Sequence, residues 1–382
     1  MISGDFLDYI ENLYYFCTRK SGLMREKLLL ILTVSLLLTC CTKEGETIYK
    51  PNPEEEQPAT TPLVTVIYGP NGLGDRSYND LVYKGVEAAA QKYGVRTLQL
   101  SPESNEQGFA YLETIFQQME SATDTVRRLF ISPSPLFEEY IRKNNRRLEK
   151  NPYADLLFLE TTTPFEGKGS TLYIDYYGAM YMGGCIVRYF EEDQTTLLLA
   201  NPHTQTVVEA GEGFVEGFND TPQIRSHEMK VHLRYLSDEP GGGFTMPDTT
   251  AMRIYHEEKA MLPSKYGNLI LVPICGGSMH AFMRAIRSVF LNGDCYVGID
   301  GDFKVDSDNC VFSIVKHVDN VMEDCIGQWL DGSLPKHQSL GLADGASGII
   351  TENSKHRSDI KKINIDSLYQ VAIEKEAAHA NR

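Results

Sequence analysis

Polar side chains follow the ends of several short apolar segments, where a ligand site or a catalytic centre can form. The apolar segment 63–68 is followed by residues 69–79, whose sequence GPNGLGDRSYN contains carboxylate, hydroxyl, aromatic and amide side chains. A second polar group, 300–302, follows a later apolar segment, and Lys316 ends a third. These groups supply hydrogen-bond donors, acceptors and an aromatic ring, which are the materials of a small-molecule cleft.

The glycines after the first apolar segment partly match a dinucleotide-binding turn. Gly72, Gly74 and Ser77 occupy the three fingerprint positions, but the third position needs glycine for close helix packing. The nearest acidic residue after the second predicted strand is Glu103. We therefore interpret this segment as a turn rather than an NAD site, and we predict no cofactor.

Two smaller groupings bear on metal and nucleophile chemistry. Asp300 and Asp302 are a candidate metal pair or catalytic dyad, although a hard-cation site usually assembles more oxygens. Ser278 and His280 are the one local nucleophile and base pair, but residues two apart on a helix do not face each other. The nine histidines show no zinc spacing, and the chain has no Gly-x-Ser-x-Gly elbow. We predict no metal and no enzymatic activity, and keep an exported nucleoside-processing enzyme as an alternative.

Composition excludes one class of partner. The 382 residues include 36 Lys and Arg against 52 Asp and Glu, a formal net charge of −16, which disfavours a nucleic-acid polymer. The length suits two domains or one large bilobed unit. The body of the chain contains five scattered cysteines that we expect to be small buried hydrophobes: Cys185, Cys275, Cys295, Cys310 and Cys325.

The N-terminal region has the anatomy of a lipoprotein signal peptide. Basic residues precede an apolar run at 28–38, which is too short to span a bilayer and is followed by Cys40 and Cys41. The sequence before these cysteines resembles a bacterial lipobox, so Cys41 or Cys40 is expected to carry the lipid anchor. Ordinary secretion is the alternative. We expect 1–23 to be a non-native upstream extension, 24–41 the signal peptide and 42–62 a solvated tether.

Apolar runs and helix-period segments alternate through the body of the chain, which predicts an α/β fold with parallel sheets and crossover helices. We expect strands at 63–68, 95–100, 129–132, 156–160, 171–175, 195–201, 229–236, 269–274, 296–299 and 311–315, and helices at 78–93, 106–121, 179–190, 206–218, 248–260 and 278–291. Ligands of such sheets bind beyond the carboxyl ends of the strands.

Residues 64–79 resemble the opening strand and Asp-x-Ser-Phe-Asn motif of the basic membrane protein family, the PnrA-like purine nucleoside receptors of bacterial ABC transporters. Later blocks are similar to that family in the same order, and the resemblance covers about 63–350: 274–278 (ICGGS), 297–302 (VGIDGD), 311–319 (VFSIVKHVD) and 341–348 (GLADGASG).

The resemblance implies a type I periplasmic binding protein fold, with two doubly wound parallel-sheet lobes joined by three crossings near residues 169, 308 and 335. Lobe 1 would comprise 63–168 and 309–334, and lobe 2 would comprise 169–308 and 335–382. It also implies a monomeric, lipid-anchored, extracytoplasmic protein that binds a nucleoside-like ligand and delivers it to an ABC transporter permease.

The resemblance also assigns roles to particular residues. Tyr78 would stack on the purine, and Asn79 would hydrogen-bond the ligand. Asp300 would bind the ribose hydroxyls, Gly277 would let the backbone approach the ligand, and Lys316 would donate a hydrogen bond. Asp75 and Ser77 would shape the loop.

The chain departs from the family at Gly69, where the family commonly has an aspartate, at Gly74, which replaces the first of the paired aspartates, and at Tyr78, where it has phenylalanine. Loss of the strand-end aspartate removes a base-reading group. A ligand sensor or surface lipoprotein of the same fold, binding another small polar molecule, is therefore the second reading.

Overall fold

The computed structural model describes residues 60–70, 72–190, 193–222, 231–262, 264, 267–289, 293–303, 309–351 and 360–381. The chain divides into two units, Met1–Glu56 and Gln57–Arg382, and all described residues belong to the second. The expected extension 1–23, the signal peptide 24–41 and the lipidation sites Cys40 and Cys41 lie outside the described residues, as does 42–59 of the tether. They remain predictions.

The ten strands and six helices expected from the sequence occur in the expected order, but the sequence patterns do not predict the strands His337–Leu340 and Ser347–Ile350 or the helices Glu138–Asn144, Val318–Asp331 and Ile365–Ala380. The strands are β1 Leu63–Ile67, β2 Arg96–Leu100, β3 Arg128–Ser132, β4 Ala154–Leu159, β5 Ser170–Ile174, β6 Gln194–Leu199, β7 Val231–Tyr235, β8 Leu269–Ile274, β9 Cys295–Asp300, β10 Cys310–Lys316, β11 His337–Leu340 and β12 Ser347–Ile350. The α-helices are α1 Tyr78–Tyr93, α2 Asn105–Ser121, α3 Glu138–Asn144, α4 Tyr177–Arg188, α5 Gln205–Asp220, α6 Asp248–Ala260, α7 Ser278–Ser288, α8 Val318–Asp331 and α9 Ile365–Ala380.

These strands form two six-stranded sheets. The first has the order β11-β5-β4-β3-β1-β2 and is parallel throughout. The second has the order β12-β10-β9-β8-β6-β7 and is parallel except for β12, which runs antiparallel to β10. We call the first sheet with α1, α2, α3 and α8 lobe 1, and the second sheet with the remaining helices lobe 2. This is the doubly wound α/β architecture that the alternation predicts.

Alternation along the strands builds the core of lobe 1 on both faces of its sheet. Leu129 and Ile131 of β3 pack into a cluster with α1 and α8, whereas Phe130 between them packs into a second cluster with α2. Side chains of a strand alternate between faces, so such a sheet needs apolar residues at every position. The five body cysteines are buried thiols outside any disulfide, as predicted.

The chain passes between the sheets later than predicted at all three points. Strand β5, expected in lobe 2, pairs with β4 in lobe 1, and β11 pairs with β5 there too. Strand β10, expected in lobe 1, pairs with β9 in lobe 2. The crossings therefore lie at 175–176, 317 and 341–346 rather than near 169, 308 and 335. A strand buried on both faces reads the same in either sheet, so its sequence does not reveal its lobe.

Helices α4 and α5 of lobe 2 pack so closely that glycine is required at their contact. A Cβ atom at Gly184 would lie 2.0 Å from the Phe214 carbonyl oxygen and 2.7 Å from the Phe218 backbone nitrogen. A Cβ atom at Gly217 would lie 2.0 Å from the Tyr181 carbonyl oxygen. Since backbone atoms cannot move aside as a side chain can, the two helices can keep this separation only without side chains here.

We expect Gly184→Ala to lower the free energy of unfolding by about 2–3 kcal/mol, because overpacking forces the helices apart. Gly348→Ala is the matched control, since a Cβ there meets its nearest atoms at 3.9 Å and 4.0 Å, which is ordinary contact. Denaturant unfolding followed by circular dichroism measures both. Equal stability of the two variants would contradict the close contact.

Candidate functional site

A cavity of about 930 Å³ lies between the lobes at the carboxyl ends of their strands. It is lined from lobe 1 by the 69–79 loop and Glu160, and from lobe 2 by the start of α7 and the end of β9. Six of the seven residues that the sequence singles out for the ligand or its loop line it: Asp75, Tyr78, Asn79, Gly277, Asp300 and Lys316. The volume suits a ligand of nucleoside or sugar size.

Asp75 organises the loop that presents Tyr78 and Asn79. Its carboxylate accepts hydrogen bonds from the backbone N–H groups of Ser77 (2.8 Å), Asn79 (3.1 Å) and Asp80 (3.2 Å), and from the Asn79 side-chain amide (2.8 Å). Burial raises the pKa of Asp75, and the backbone donors oppose that rise. These bonds fix the entry into α1, so that Tyr78 begins the helix at the cavity wall.

A buried ion pair joins the lobes beside Tyr78. Lys316 Nζ at the end of β10 lies 2.8 Å from Glu160 Oε2, and both side chains are only 6% exposed. The ammonium group also lies 5.0 Å from the centre of the Tyr176 ring and 5.7 Å from that of the Tyr78 ring. The cation is therefore balanced by one carboxylate and two aromatic faces.

Two oxygens in this cluster are buried and make no hydrogen bond of ordinary geometry with the described residues. They are the Tyr78 hydroxyl and Glu160 Oε1. Burial, followed by the charge of the Glu160 carboxylate and a side-chain hydrogen bond with it, raises the pKa of Tyr78 well above its ordinary value. The two side chains are therefore close enough to interact weakly with each other, and a better-placed donor or acceptor in the cavity would improve on that contact.

Asp300 links lobe 2 to the lobe 1 loop. Its Oδ2 accepts a hydrogen bond from the Ser77 hydroxyl at 2.9 Å, and its backbone N–H donates to the Tyr176 hydroxyl at 3.2 Å. The Tyr176 hydroxyl in turn donates to the Ile314 carbonyl at 2.5 Å. Burial raises the pKa of Asp300 to about 6, and the nearby Lys316 charge opposes that rise.

The start of α7 forms the opposite rim. The His280 ring Nε2 donates to the Asp75 carbonyl oxygen at 2.5 Å, and the Ser278 hydroxyl donates to the Gly243 carbonyl oxygen at 2.8 Å. Serine and histidine therefore have separate partners rather than forming the nucleophile and base pair considered from sequence. A Cβ at Gly277 would lie 3.4 Å from Asp75 Cβ and from the Phe244 carbonyl oxygen. Position 277 is thus flanked by both lobes.

Backbone strain concentrates at the same place. Among the described residues, the non-glycine residues with positive φ are Arg76 (46°), Glu160 (64°) and Asp300 (68°), and all three line the cavity. A side chain in this region costs roughly 1 kcal/mol or more and persists where the surroundings enforce it. Strained residues cluster at functional sites, so this observation points to the cavity independently of the sequence motifs.

Sequence reasoning missed Glu160, Tyr176 and Phe244 among the cavity residues, and it considered His280 only as a base beside Ser278. Glu160 directly follows β4, so the strand-end rule finds it when the expected strand is ended one residue earlier, and Tyr176 already directly follows the expected strand 171–175. Phe244 directly follows the glycine-rich loop 241–243, and no strand end or sequence motif predicts a functional residue there. The structure brings together the predicted ligand residues in addition to these four.

Other predicted features have structural explanations. A Cβ at Gly72 would lie 2.9 Å from the Gly69 carbonyl oxygen, which fits a tight turn at the partial dinucleotide motif.

Within the described ranges, no group of three or more His, Cys, Asp or Glu residues is placed to hold a metal ion. No helix in the same ranges has both the length and the apolar character needed to cross a membrane.

Comparison with solved structures identifies the fold. A solute-binding protein of an ABC transporter system from Aeropyrum pernix K1 matches with a TM-score of 0.60 and 17% identity over 83% of this chain and 86% of that chain. A transcriptional activator of the comK gene from Bacillus halodurans matches with a TM-score of 0.58 and 17% identity over 83% and 97%. A periplasmic solute-binding protein from Actinobacillus succinogenes 130z with bound D-allose matches with a TM-score of 0.58 and 13% identity over 78% and 100%.

The chain thus has the two-lobe type I periplasmic binding protein fold, and its structural neighbours include ABC transporter solute-binding proteins. At these identities the likeness establishes the fold alone. No family model matches the chain, and no curated protein matches it.

The raised pKa of Asp300 predicts a pH effect on stability. Because the folded-state pKa, about 6, exceeds the ordinary aspartate value of about 4, the folded protein holds this proton more tightly than the unfolded chain. The resulting stabilisation is complete below about pH 4 and is lost as pH rises through about 6. Asp300→Asn has no carboxylate to titrate at this position and should not lose this stabilisation. Its free energy of unfolding should therefore rise by about 2 kcal/mol relative to that of the wild type as pH increases from about 4 to about 6.

Denaturant unfolding at several pH values measures this difference. Asp302→Asn is the matched control, since Asp302 is exposed. Parallel pH profiles of wild type and Asp300→Asn would show that Asp300 does not titrate as stated.

Proposed function

We propose that the protein is an extracytoplasmic binding protein that captures a small polar ligand, most specifically a purine nucleoside, between its two lobes. The observation that carries this proposal is the interlobe cavity, whose wall contains the Tyr78 ring, the buried Glu160 carboxylate and Asp300. A ligand that donates to Glu160 and accepts from Tyr78 would replace the weak contact between these two side chains with two well-formed hydrogen bonds.

The remaining groups of the cleft suit the parts of a nucleoside. The Tyr78 ring offers a face on which a purine base can stack, and Phe244 lines the cavity from the other lobe. Asp300 offers carboxylate oxygens to a vicinal diol such as that of ribose. Glu160 supports base recognition in place of the aspartate that the resemblance leads one to expect at Gly69.

Position 69 would hold an aspartate only tightly. A Cβ at Gly69 would lie 3.0 Å from the Ser134 hydroxyl oxygen, which would have to move by a few tenths of an ångström, and Ser134 also lines the cavity. With glycine at this position, an acceptor for a base N–H group would come from another strand end. Glu160 directly follows β4, two strands away from β1 in the same sheet, and its Oε1 is a buried acceptor without a hydrogen bond of ordinary geometry.

The delivery partner and the location are part of the same proposal. An ABC transporter permease would receive the ligand, and a lipid on Cys41 or Cys40 would anchor the monomeric protein outside the cytoplasm. The structural neighbours include solute-binding proteins of ABC transporter systems, which supports a transport role. No enzymatic role is proposed, because Ser278 and His280 hydrogen-bond to different groups.

A ligand sensor, or a surface lipoprotein binding another small polar molecule, is the second candidate. One structural neighbour is described as a transcriptional activator, and two others contain D-allose or D-arabinose. Hydroxyl-rich sugars also pair with carboxylates and stack on tyrosine, so they belong in the same binding experiment.

Isothermal calorimetry against purine nucleosides, free bases, D-ribose and D-allose tests the ligand class. We expect a nucleoside to bind, and Tyr78→Ala to lose about 1–3 kcal/mol of binding free energy through lost stacking. Tyr153→Ala is the control, because Tyr153 is a partly exposed tyrosine that does not line the cavity. Binding of a sugar alone would replace the nucleoside by that sugar, and equal affinities of the two variants would remove the cleft from the proposal.

Glu160→Gln separates base recognition from stacking. The variant keeps the shape of the side chain but turns one acceptor oxygen into a donor, so a ligand N–H group loses its partner. We expect about 2 kcal/mol weaker binding of a ligand that donates to this position. The affinity of an analogue that lacks that donor should change much less in the same titration. Equal losses for both ligands would mean that Glu160 acts only through its ion pair with Lys316.

A further inference from the structure

The three chain crossings between the lobes are hydrogen-bonded to one another and to helix α9. The Asp175 N–H donates to the Leu340 carbonyl at 2.7 Å, which ties the first crossing to the strand before the third. The His317 N–H donates to the Ala346 carbonyl at 2.8 Å, which ties the second crossing to the third. Any movement of one lobe relative to the other must bend these segments, which makes them the hinge.

One side chain of α9 joins the third crossing to the start of α4, which directly follows the first crossing. Glu376 Oε2 accepts the Gly178 N–H at 2.9 Å just after the first crossing, and Oε1 accepts the Leu342 N–H at 2.7 Å in the third. The Tyr369 hydroxyl of the same helix donates to the Leu342 carbonyl at 2.6 Å. Both backbone groups of Leu342 are therefore held by α9. Glu376 is 7% exposed and does not line the cleft.

Glycine at two positions makes room for this carboxylate. A Cβ at Gly341 would lie 2.1 Å from Glu376 Oε1, and a Cβ at Gly178 would lie 2.7 Å from Oε2. The hinge segments thus approach the carboxylate too closely for any other residue. The contact is a built binding site for one ionised carboxylate, with two backbone donors converging on it.

We propose that the charge on Glu376 controls the stiffness of the hinge. The ionised carboxylate accepts both N–H groups and ties the third crossing to the start of α4, just after the first crossing. A protonated carboxyl group keeps one good acceptor oxygen and gains a donor, so one of the two N–H groups loses its partner. Proton uptake therefore loosens the hinge and makes separation of the lobes easier.

The surroundings place this change in the neutral pH range. Burial raises the pKa of Glu376 to about 7, with a further rise from the negative charge of Asp175, and the two backbone N–H groups oppose it. Burial also raises the pKa of Asp175. The other charged or titratable groups that act on this pair come from the packed elements around it: Asp344 in the third crossing, Glu209 of α5, His379 of α9 and Lys316 at the end of β10.

The proposal requires only that the lobes move, so it holds for any ligand of the cleft. A looser hinge changes the population of the closed form, and the affinity of a cleft ligand changes with it. Its test uses the unliganded full-length chain and is therefore independent of which ligand, if any, binds.

Hydrogen exchange measured by mass spectrometry on the peptides containing Gly178 and Leu342, corrected for the intrinsic pH dependence, tests the proposal. In the wild type we expect these amides to exchange about tenfold faster at about pH 6 than at about pH 8, because a bond to a charged acceptor is lost. Peptides from the buried strand β8 should show no such step. Absence of a step at the hinge between these pH values would overturn the proposal.

Glu376→Gln imitates the protonated form of the side chain. In this variant the amides of Gly178 and Leu342 should exchange rapidly at both about pH 6 and about pH 8. Glu374→Gln is the matched control, since it makes the same change at an exposed position on α9, and it should follow the wild type. A pH step that persists in Glu376→Gln would assign the titration to another group and overturn the proposal. If Glu376→Gln does not fold, the wild-type titration alone decides.

Discussion

The buried ion pair between Lys316 and Glu160 is the interaction on which the geometry of the cleft depends. Lys316 ends a strand of lobe 2 and Glu160 follows a strand of lobe 1, so the pair forms only when the two strand-end edges face each other. Removing both ions from water is costly, and their attraction repays that cost only while the pair is intact. Opening the lobes returns both groups to water, which lowers the cost of separating them. The pair therefore defines the closed geometry while allowing the lobes to open.

The polar groups around this pair are arranged by the two parallel sheets. Parallel strands direct all their carboxyl ends to one edge, so the residues that follow β1, β4 and β9 meet although they are distant in sequence. Glu160 and Asp300 at these ends both have positive φ. The backbone is thus held in an unfavourable conformation where it turns its side chains toward the cavity. The strained backbone lowers stability, but it places the two carboxylates at the cavity.

The same rule explains how much of the site the sequence could predict. Apolar runs with sharply marked ends place Asp300 and Lys316 at strand ends, whereas the family resemblance singles out Tyr78 and implies the ligand roles of all three, and the elements around them agree with the structure within a few residues. Glu160 is less easily recognised, because the expected strand 156–160 includes it, whereas the observed strand ends at Leu159. The crossings near 169, 308 and 335 are implied by the resemblance alone, and because β10 is buried at every position, its sequence carries no pattern that corrects its assignment to a lobe.

Helix α9 illustrates a different limit of sequence reasoning. Its described residues include only Ala372 and Glu376 as buried, so its sequence has the pattern of a surface helix and a single buried glutamate does not stand out. The role of Glu376 depends on Gly178 and Leu342, which are 198 and 34 residues away in the chain. Contacts of this range follow from the packing of the lobes and have no local signature.

In the proposed binding role, ligand selectivity would depend on the buried polar atoms of the cleft more than on its aromatic ring. Stacking on Tyr78 would favour any flat or apolar ring face and so would distinguish ligands weakly. Glu160 Oε1 would distinguish them more strongly, because a ligand without a donor at that position would leave this buried acceptor without a hydrogen bond of ordinary geometry. Such a ligand could still enter and stack, but it would gain less from closure than a ligand that donates. Selection would then occur at the closing step, where hinge and ligand contacts contribute to the same equilibrium.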